Sequence, residues 1–297
     1  MDETTVFFQQ IINGISMGLI YALVALGYSM IFGVLGYINF AHGDIYMVGG
    51  FIGFTLIGFL NWGLGIAIVF SALAVAFLGI MIERLAYKPL RRFEGFLDPL
   101  LVCTIGVSIV LQTAAQLIWG NETKPMGVEV ANRIYYLGDL YVSQMQLIIG
   151  AVAIVLMIAL GLFVNKTNTG IAIRAVAQDI VSAKLMGINV NRIVSITYAI
   201  GSALAAIAGV LVGVYFDAVY PTMGYTAGIK AFTATCLGGI GSLPGAVFAS
   251  LIIGVVEALG TSYFSAAFRD GYSFIILLFT LVFLPSGLVR TKREEKV

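Results

Sequence analysis

A run of 34 mostly apolar residues, Ala227 to Gly260, is interrupted near its middle by Gly238-Gly239-Ile240-Gly241-Ser242-Leu243-Pro244-Gly245. As a single helix the run would extend about 51 Å at about 1.5 Å per residue, against a bilayer hydrocarbon core of about 30 Å. One straight span does not fit. Within a bilayer, a Gly/Pro break is tolerated only where protein buries the backbone or a water-filled cavity satisfies its free N–H and C=O groups. The break therefore argues for a path through the membrane and against a simple lipid anchor.

Composition places the whole chain in the bilayer. Its 297 residues are 60% apolar and 10% charged, with a mean hydropathy of +1.01, against roughly 25% charged residues in soluble domains. The 35 glycines favour close approach of helices in a compact bundle. The first five residues, Met1 to Thr5, carry Asp2 and Glu3 but no base. They lack the basic start of a cleavable signal, so the first helix is expected to be retained. Cys103 and Cys236 both lie in apolar segments without metal-ligand spacing, and are expected to be small buried hydrophobes rather than metal ligands or a disulfide.

The pattern predicts an all-α polytopic membrane protein, a single domain over 1–297. It has about eight hydrophobic segments, at 9–33, 41–60, 64–83, 98–119, 144–165, 193–216, 227–260 and 270–286. Twelve of the sixteen bases fall on three connections: Arg84, Lys88, Arg91 and Arg92; Lys166, Arg174, Lys184 and Arg192; Arg290, Lys292, Arg293 and Lys296. Basic loops stay cytoplasmic. That puts 120–143, 217–226 and 261–270 outside, where Lys124, Arg133 and Arg269 are the only bases. Segment 227–260, flanked on both sides by outside loops, must enter and return as two short helices. Counting back, the N-terminus is expected outside. The bases of the first loop are also expected to contact anionic lipid head groups.

A second break, Gly33-Val34-Leu35-Gly36-Tyr37-Ile38-Asn39-Phe40-Ala41-His42-Gly43-Asp44, separates the first two segments. Two Gly-interrupted segments in the two halves of a chain point to a transport path built from an internal repeat, although the halves do not align residue by residue. Ionisable residues in membrane segments are functional candidates. His42 and Asp44 are expected either to cap the second helix and bond the break's free amides, or to line the path. Lys230 and Glu257 are expected to pair across the arms of the later break. Asn13, Ser16, Tyr21, Tyr28, Asn39, Thr233, Thr235 and Ser242 either line a modestly polar conduit or join helix to helix.

Between the fifth and sixth segments, 170–187 is too polar to span and too helix-prone for a loose linker. Ala172, Val176, Ile180 and Ala183 give one apolar stripe, Arg174, Gln178 and Asp179 point elsewhere, and Gly187 is placed to end the helix. It reads either as a helix on the bilayer surface or as a docking helix for a cytoplasmic partner. In the outside loop, Ile134-Tyr135-Tyr136, Gly138-Asp139 and Leu140-Tyr141-Val142 read as a β-hairpin, which either caps helix ends or receives a partner.

Three stretches carry a family resemblance. They are Gln9-Gln10-Ile11-Ile12-Asn13-Gly14, Gly18 to Tyr28, and Ile38-Asn39-Phe40-Ala41-His42-Gly43-Asp44. With Gly170 to Asn189 and Leu237 to Ser242, the chain closely resembles, over essentially its whole length, the permease subunit of bacterial branched-chain amino-acid ABC importers. Urea and short-chain amide permeases have similar signatures. The resemblance implies a multi-pass protein of the bacterial inner (plasma) membrane that passes leucine, isoleucine or valine. It also implies a second permease subunit, usually a paralogue, two cytoplasmic ATPase subunits that bind ATP and Mg, and a periplasmic binding protein. The implied coupling residues are Arg174, Gln178, Asp179, Lys184 and Gly187. The path candidates are Asn13, Tyr21, Asn39, His42, Asp44, Thr233, Gly238, Gly239, Gly241, Ser242 and Glu257.

Two negatives agree. Lys166, the only lysine followed by Ser or Thr, is preceded by Asn165, so there is no phosphate cradle of the G-x-x-x-x-G-K-[ST] type and no cofactor is expected in this chain. His42 is the only histidine, and neither a Ser/His/Asp nor a metal-ligand arrangement is found. An enzyme is therefore not expected. An ion-coupled secondary transporter would have Asp44 and Glu257 as its deep acids, and is the alternative from another class.

Overall fold

A computed structural model describes residues 3–91, 97–128 and 133–289. Arg92 of the first basic loop and Arg290, Lys292, Arg293 and Lys296 of the tail lie outside the described residues. The helices are α1 (Glu3–Leu35), α2 (His42–Phe54), α3 (Leu64–Ile82), α4 (Lys88–Leu90), α5 (Leu97–Trp119), α6 (Gln144–Lys166), α7 (Asn168–Gln178), α8 (Ile180–Leu185), α9 (Val190–Phe216), α10 (Met223–Gly238), α11 (Leu243–Tyr263) and α12 (Arg269–Phe283). A two-stranded antiparallel hairpin, β1 (Ile134–Leu137) and β2 (Leu140–Ser143), precedes α6.

Among the described residues, seven helical stretches are long and apolar enough to cross a membrane, so not all of the eight hydrophobic segments are spans. Segment 41–60 is α2, whose 13 residues rise about 20 Å, followed by a π-helical turn over Thr55–Phe59. Together they are not among the seven. Segment 227–260 is α10 and α11, of which α11 alone has spanning length.

Helix α1 is the axle of the bundle. Its most apolar window is 94% buried, against 11–22% for α3 with α4, α5, α6 and α12. Those outer helices expose residues such as Phe77, Leu117, Ile158 and Ile275, as expected where lipid is the solvent. Close packing on the axle requires glycine: a Cβ on Gly14 would stand 2.6 Å from the Val255 Cα, and one on Gly18 2.8 Å from the Leu251 Cα. The sequence runs down one helix as it runs up the other, so α1 and α11 are antiparallel.

The loops sort onto two faces. On one, Lys124 and Val219 bond reciprocally at 2.9 Å, and Gln9, near the start of α1, bonds Tyr141 of the hairpin. The α1 start, Lys124, the hairpin and 217–222 therefore share a face, as the charge pattern predicts. The break between α10 and α11 lies at the opposite end of α11, where the Leu288 and Val289 amides donate to the Leu237 and Gly238 carbonyls at 2.7 and 3.2 Å. These bonds take up orphan carbonyls at the C-terminus of α10. The bounds of both breaks are narrower than the sequence suggests. Gly36 (φ 76°) ends α1 and the chain is non-helical to Ala41, while Gly239 (φ 99°) and Gly241 (φ 83°) turn the chain before Ser242 caps α11. The break between α10 and α11 packs on the last turn of α1, just before the other break: a Cβ on Gly33 would lie 3.5 Å from the Gly241 Cα.

Candidate functional site

A buried charge cluster lies where α1, α10, α11 and α12 converge. Glu257 on α11 is 2% exposed. Tyr21 donates to its two carboxylate oxygens at 3.1 and 2.9 Å, Lys230 donates at 3.0 Å, and Arg269 Nε pairs with the same carboxylate. Lys230 also reaches Asp270 at 2.8 Å and the Tyr21 hydroxyl at 3.2 Å. Two cations thus face two anions, so no uncompensated charge is buried. The expected pairing of Lys230 with Glu257 across the two arms is present. Arg269 and Asp270, at the start of α12, complete the cluster and escape a sequence reading that counts them only as loop charges.

Two cavities flank this cluster. One of about 320 Å³ is bordered by Met17, Tyr21, Tyr46, Phe216, Lys230 and Asp270 among others. The second, of about 270 Å³, includes Asn13, Gly254, Glu257 and Ala266 in its wall. Met17, Phe216 and Arg269 border both. The larger volume falls at the lower end of the roughly 300–1,000 Å³ typical of small-molecule sites. Ala218 and Tyr220 in its wall put its mouth at the 217–222 loop.

Three of the path candidates therefore border a cavity: Asn13, Tyr21 and Glu257. The other eight border neither of these two cavities. Asn39 Oδ1 accepts from the Ala41 amide and the Tyr87 hydroxyl, each at 3.2 Å. His42 Nε2 lies 3.2 Å from the Val24 carbonyl oxygen. Asp44 accepts from Ser108 at 2.5 Å and Gln112 at 2.9 Å on α5. Neither His42 nor Asp44 caps α2, because Asn39 already bonds the amide that precedes it and Asp44 turns to α5. Thr233 donates back to the Ile229 carbonyl at 2.9 Å. Gly238 packs on Gly245, Gly239 on the chain at Ser286 and Val289, and Gly241 on Gly33. Ser242 accepts from the Gly245 amide at 3.2 Å as the α11 cap.

Glu83 is a buried acid that the sequence reading missed. It is fully buried, pairs with Arg91 and accepts from Ser195 at 2.7 Å. It closes the apolar segment 64–83, next to Arg84 of the basic loop. Of the bases in that loop, Arg91 pairs with Glu83, while Arg84 is exposed.

The expected helix over 170–187 is two helices. Asp179 leaves helical geometry (φ −151°, ψ 115°) and accepts from the Val181 amide at 2.9 Å and the Ser182 hydroxyl at 2.5 Å, capping α8. Ile173, Val176 and Ala183 are buried, with Ala172 and Ile180 partly so. The apolar stripe survives, with Ile173 added. Arg174, Gln178 and Lys184 are exposed, and Gly187 (φ 83°) follows the end of α8. Leu185 and Met186 project at 82% and 83% exposure.

A bundle of seven potential spans, with two shorter helices and a cavity between them, defines a multi-pass membrane permease. Residues 10–284 match the family described as the branched-chain amino acid transport system / permease component, and the chain belongs to that family. It is 39% identical to the high-affinity branched-chain amino acid transport system permease protein LivH of Salmonella typhimurium, over 98% of each chain. It is 38% identical to the corresponding protein BraD of Pseudomonas aeruginosa, over the full length of both. Among solved structures, PsaBC from Streptococcus pneumoniae in complex with Fab matches 92% of this chain and 91% of that one, at TM-score 0.51 and 15% identity. That likeness extends the common fold well beyond recognisable sequence.

Proposed function

We propose that this chain is the translocation subunit of an ATP-driven importer of branched-chain amino acids, working with a second permease, two cytoplasmic ATPase subunits that bind ATP and Mg, and a periplasmic binding protein. The observation that carries the reading is end-to-end identity of 38–39% with permeases named for that transport. Asn13, Tyr21 and Glu257 border the path, and the other polar candidates hold the helices that form it.

Coupling is assigned to α7 and α8. Their apolar side is buried on the bundle, whereas Arg174, Gln178 and Lys184 are exposed beside Leu185 and Met186. A polar rim around protruding apolar side chains suits a protein groove better than bulk water. Reconstitution of the four kinds of subunit in liposomes tests the whole reading: leucine uptake should require ATP and the binding protein. Arg174→Glu should leave insertion and assembly intact while separating ATP hydrolysis from uptake. Full-rate uptake by that variant would remove α7 from the coupling path, and uptake without the ATPases would replace the importer with an ion-coupled carrier.

A further inference from the structure

We propose that the cavity beside Lys230 and Asp270 is a subsite for the zwitterionic head of an α-amino acid. The ligand's carboxylate takes the place of Asp270 on Lys230, and Asp270 receives the ligand's ammonium group. The inference rests on the amino-acid importer reading and deepens it by locating where in this chain the substrate is held.

The two acids of the cluster are built differently. Glu257, at 3% side-chain exposure, is held by Tyr21, Lys230 and Arg269. Asp270, at 54%, has Lys230 as its one ion-pair partner among the described residues. Glu257 is fixed and Asp270 is exchangeable. Lys230 is 7% exposed, and its ammonium group already faces Tyr21, Glu257 and Asp270. A carboxylate entering the cavity can therefore bond it only by displacing one of them, and Asp270 at the rim is the one free to swing.

The exchange conserves charge and adds one ion pair. One Lys–carboxylate contact is lost and one gained, and the displaced Asp270 pairs with the incoming ammonium. A lone amine or a lone carboxylate makes only one of the two contacts and leaves the cluster with an unbalanced charge beside the buried Lys230, which is costly. Beyond the charged end, Met17, Val212, Phe216, Met223 and Ala227 supply apolar wall in a volume of about 320 Å³, suited to a branched aliphatic side chain. The one ion pair gained is offset by stripping water from both charged ends of the ligand, which gives weak binding, as a passage needs in order to release what it accepts.

The test uses the assembled permease–ATPase complex without its binding protein, observed by saturation-transfer NMR. The probes are L-leucine, 4-methylpentanoate, 3-methylbutylamine and urea. L-Leucine should receive saturation at its methyl groups, with the two singly charged analogues weaker by about tenfold or more, as loss of one charge-assisted bond requires. Asp270→Asn should lose leucine binding by a similar factor, and Asp270→Glu should restore part of it. Equal binding of leucine and 4-methylpentanoate by the unaltered complex would overturn the proposal, as would unchanged leucine binding by Asp270→Asn. If that variant fails to assemble, the analogue series on the unaltered complex still decides. Leucine uptake, measured after the same complex is reconstituted in liposomes with its binding protein, separates the two readings. Uptake without zwitterion preference at this site leaves the importer and removes the subsite, whereas uptake of urea in place of leucine removes both.

Discussion

The side-chain amide of Gln9 bonds both backbone groups of Tyr141: its Nε2 donates to the carbonyl at 2.9 Å and its Oε1 accepts from the amide at 3.0 Å. A side chain from α1 thus takes the place of a neighbouring strand along β2, and pins the hairpin to the first turns of the central helix. Gln9 is 3% exposed, so water does not replace it. Gln9→Leu should raise hydrogen exchange at the Tyr141 amide and cost about 1–2 kcal/mol of local stability. Unchanged protection would mean that the hairpin is held by other contacts.

Glu257→Gln should lower the thermal midpoint of the detergent-solubilised protein, with a loss of about 3 kcal/mol, because Arg269 and Lys230 would share a single carboxylate. The shape is nearly unchanged by the substitution. A midpoint equal to that of the unaltered protein would show that the cluster contributes to selection and not to stability.

Asp179→Ala removes the cap of α8 and should cost that helix about 1 kcal/mol, whereas Asp179→Asn retains it. ATPase-coupled uptake should therefore fall in the alanine variant and survive in the asparagine one. Equal loss in both would point to the charge of Asp179, and equal retention would exclude any need for the cap.

Gly14→Ala should destabilise the fold by about 1–3 kcal/mol, since the new methyl group would meet the Val255 backbone at 2.6 Å. Gly106→Ala, in α5 with nothing within 4 Å of the added carbon, should be neutral or stabilising. Thermal unfolding of the two variants side by side checks the assignment of α1 as axle.

The breaks, the hairpin and the sidedness were legible because each has a local signal. Gly36, Gly239 and Gly241 need positive φ, the hairpin turns at Gly138 (φ 65°) in a two-residue loop, and the bases sort by loop. The division of 170–187 was not legible, since a residue such as Asp179 in an amphipathic pattern reads equally as a solvated face or a cap. The charge cluster was half legible. Lys230 and Glu257 stand out inside apolar runs, but Arg269 and Asp270 sit beside a loop, and only the turn from α11 back into α12 brings them to Glu257. For Asn39, His42 and Asp44 the polarity was visible, and its destination was not: their partners are up to 68 residues away in sequence.

Helix α1 is enclosed by α6, α7, α9, α10 and α11, all made after it. Its side chains face protein in the finished bundle, yet its mean hydropathy of 2.0 is that of a lipid-facing span. The apolar sequence serves an earlier stage, when the first helix waits in the bilayer with none of those neighbours present. Its glycines then let the later helices close around it. The hydrophobicity of this segment is thus a record of how the chain enters the membrane, while its small residues record where it ends up.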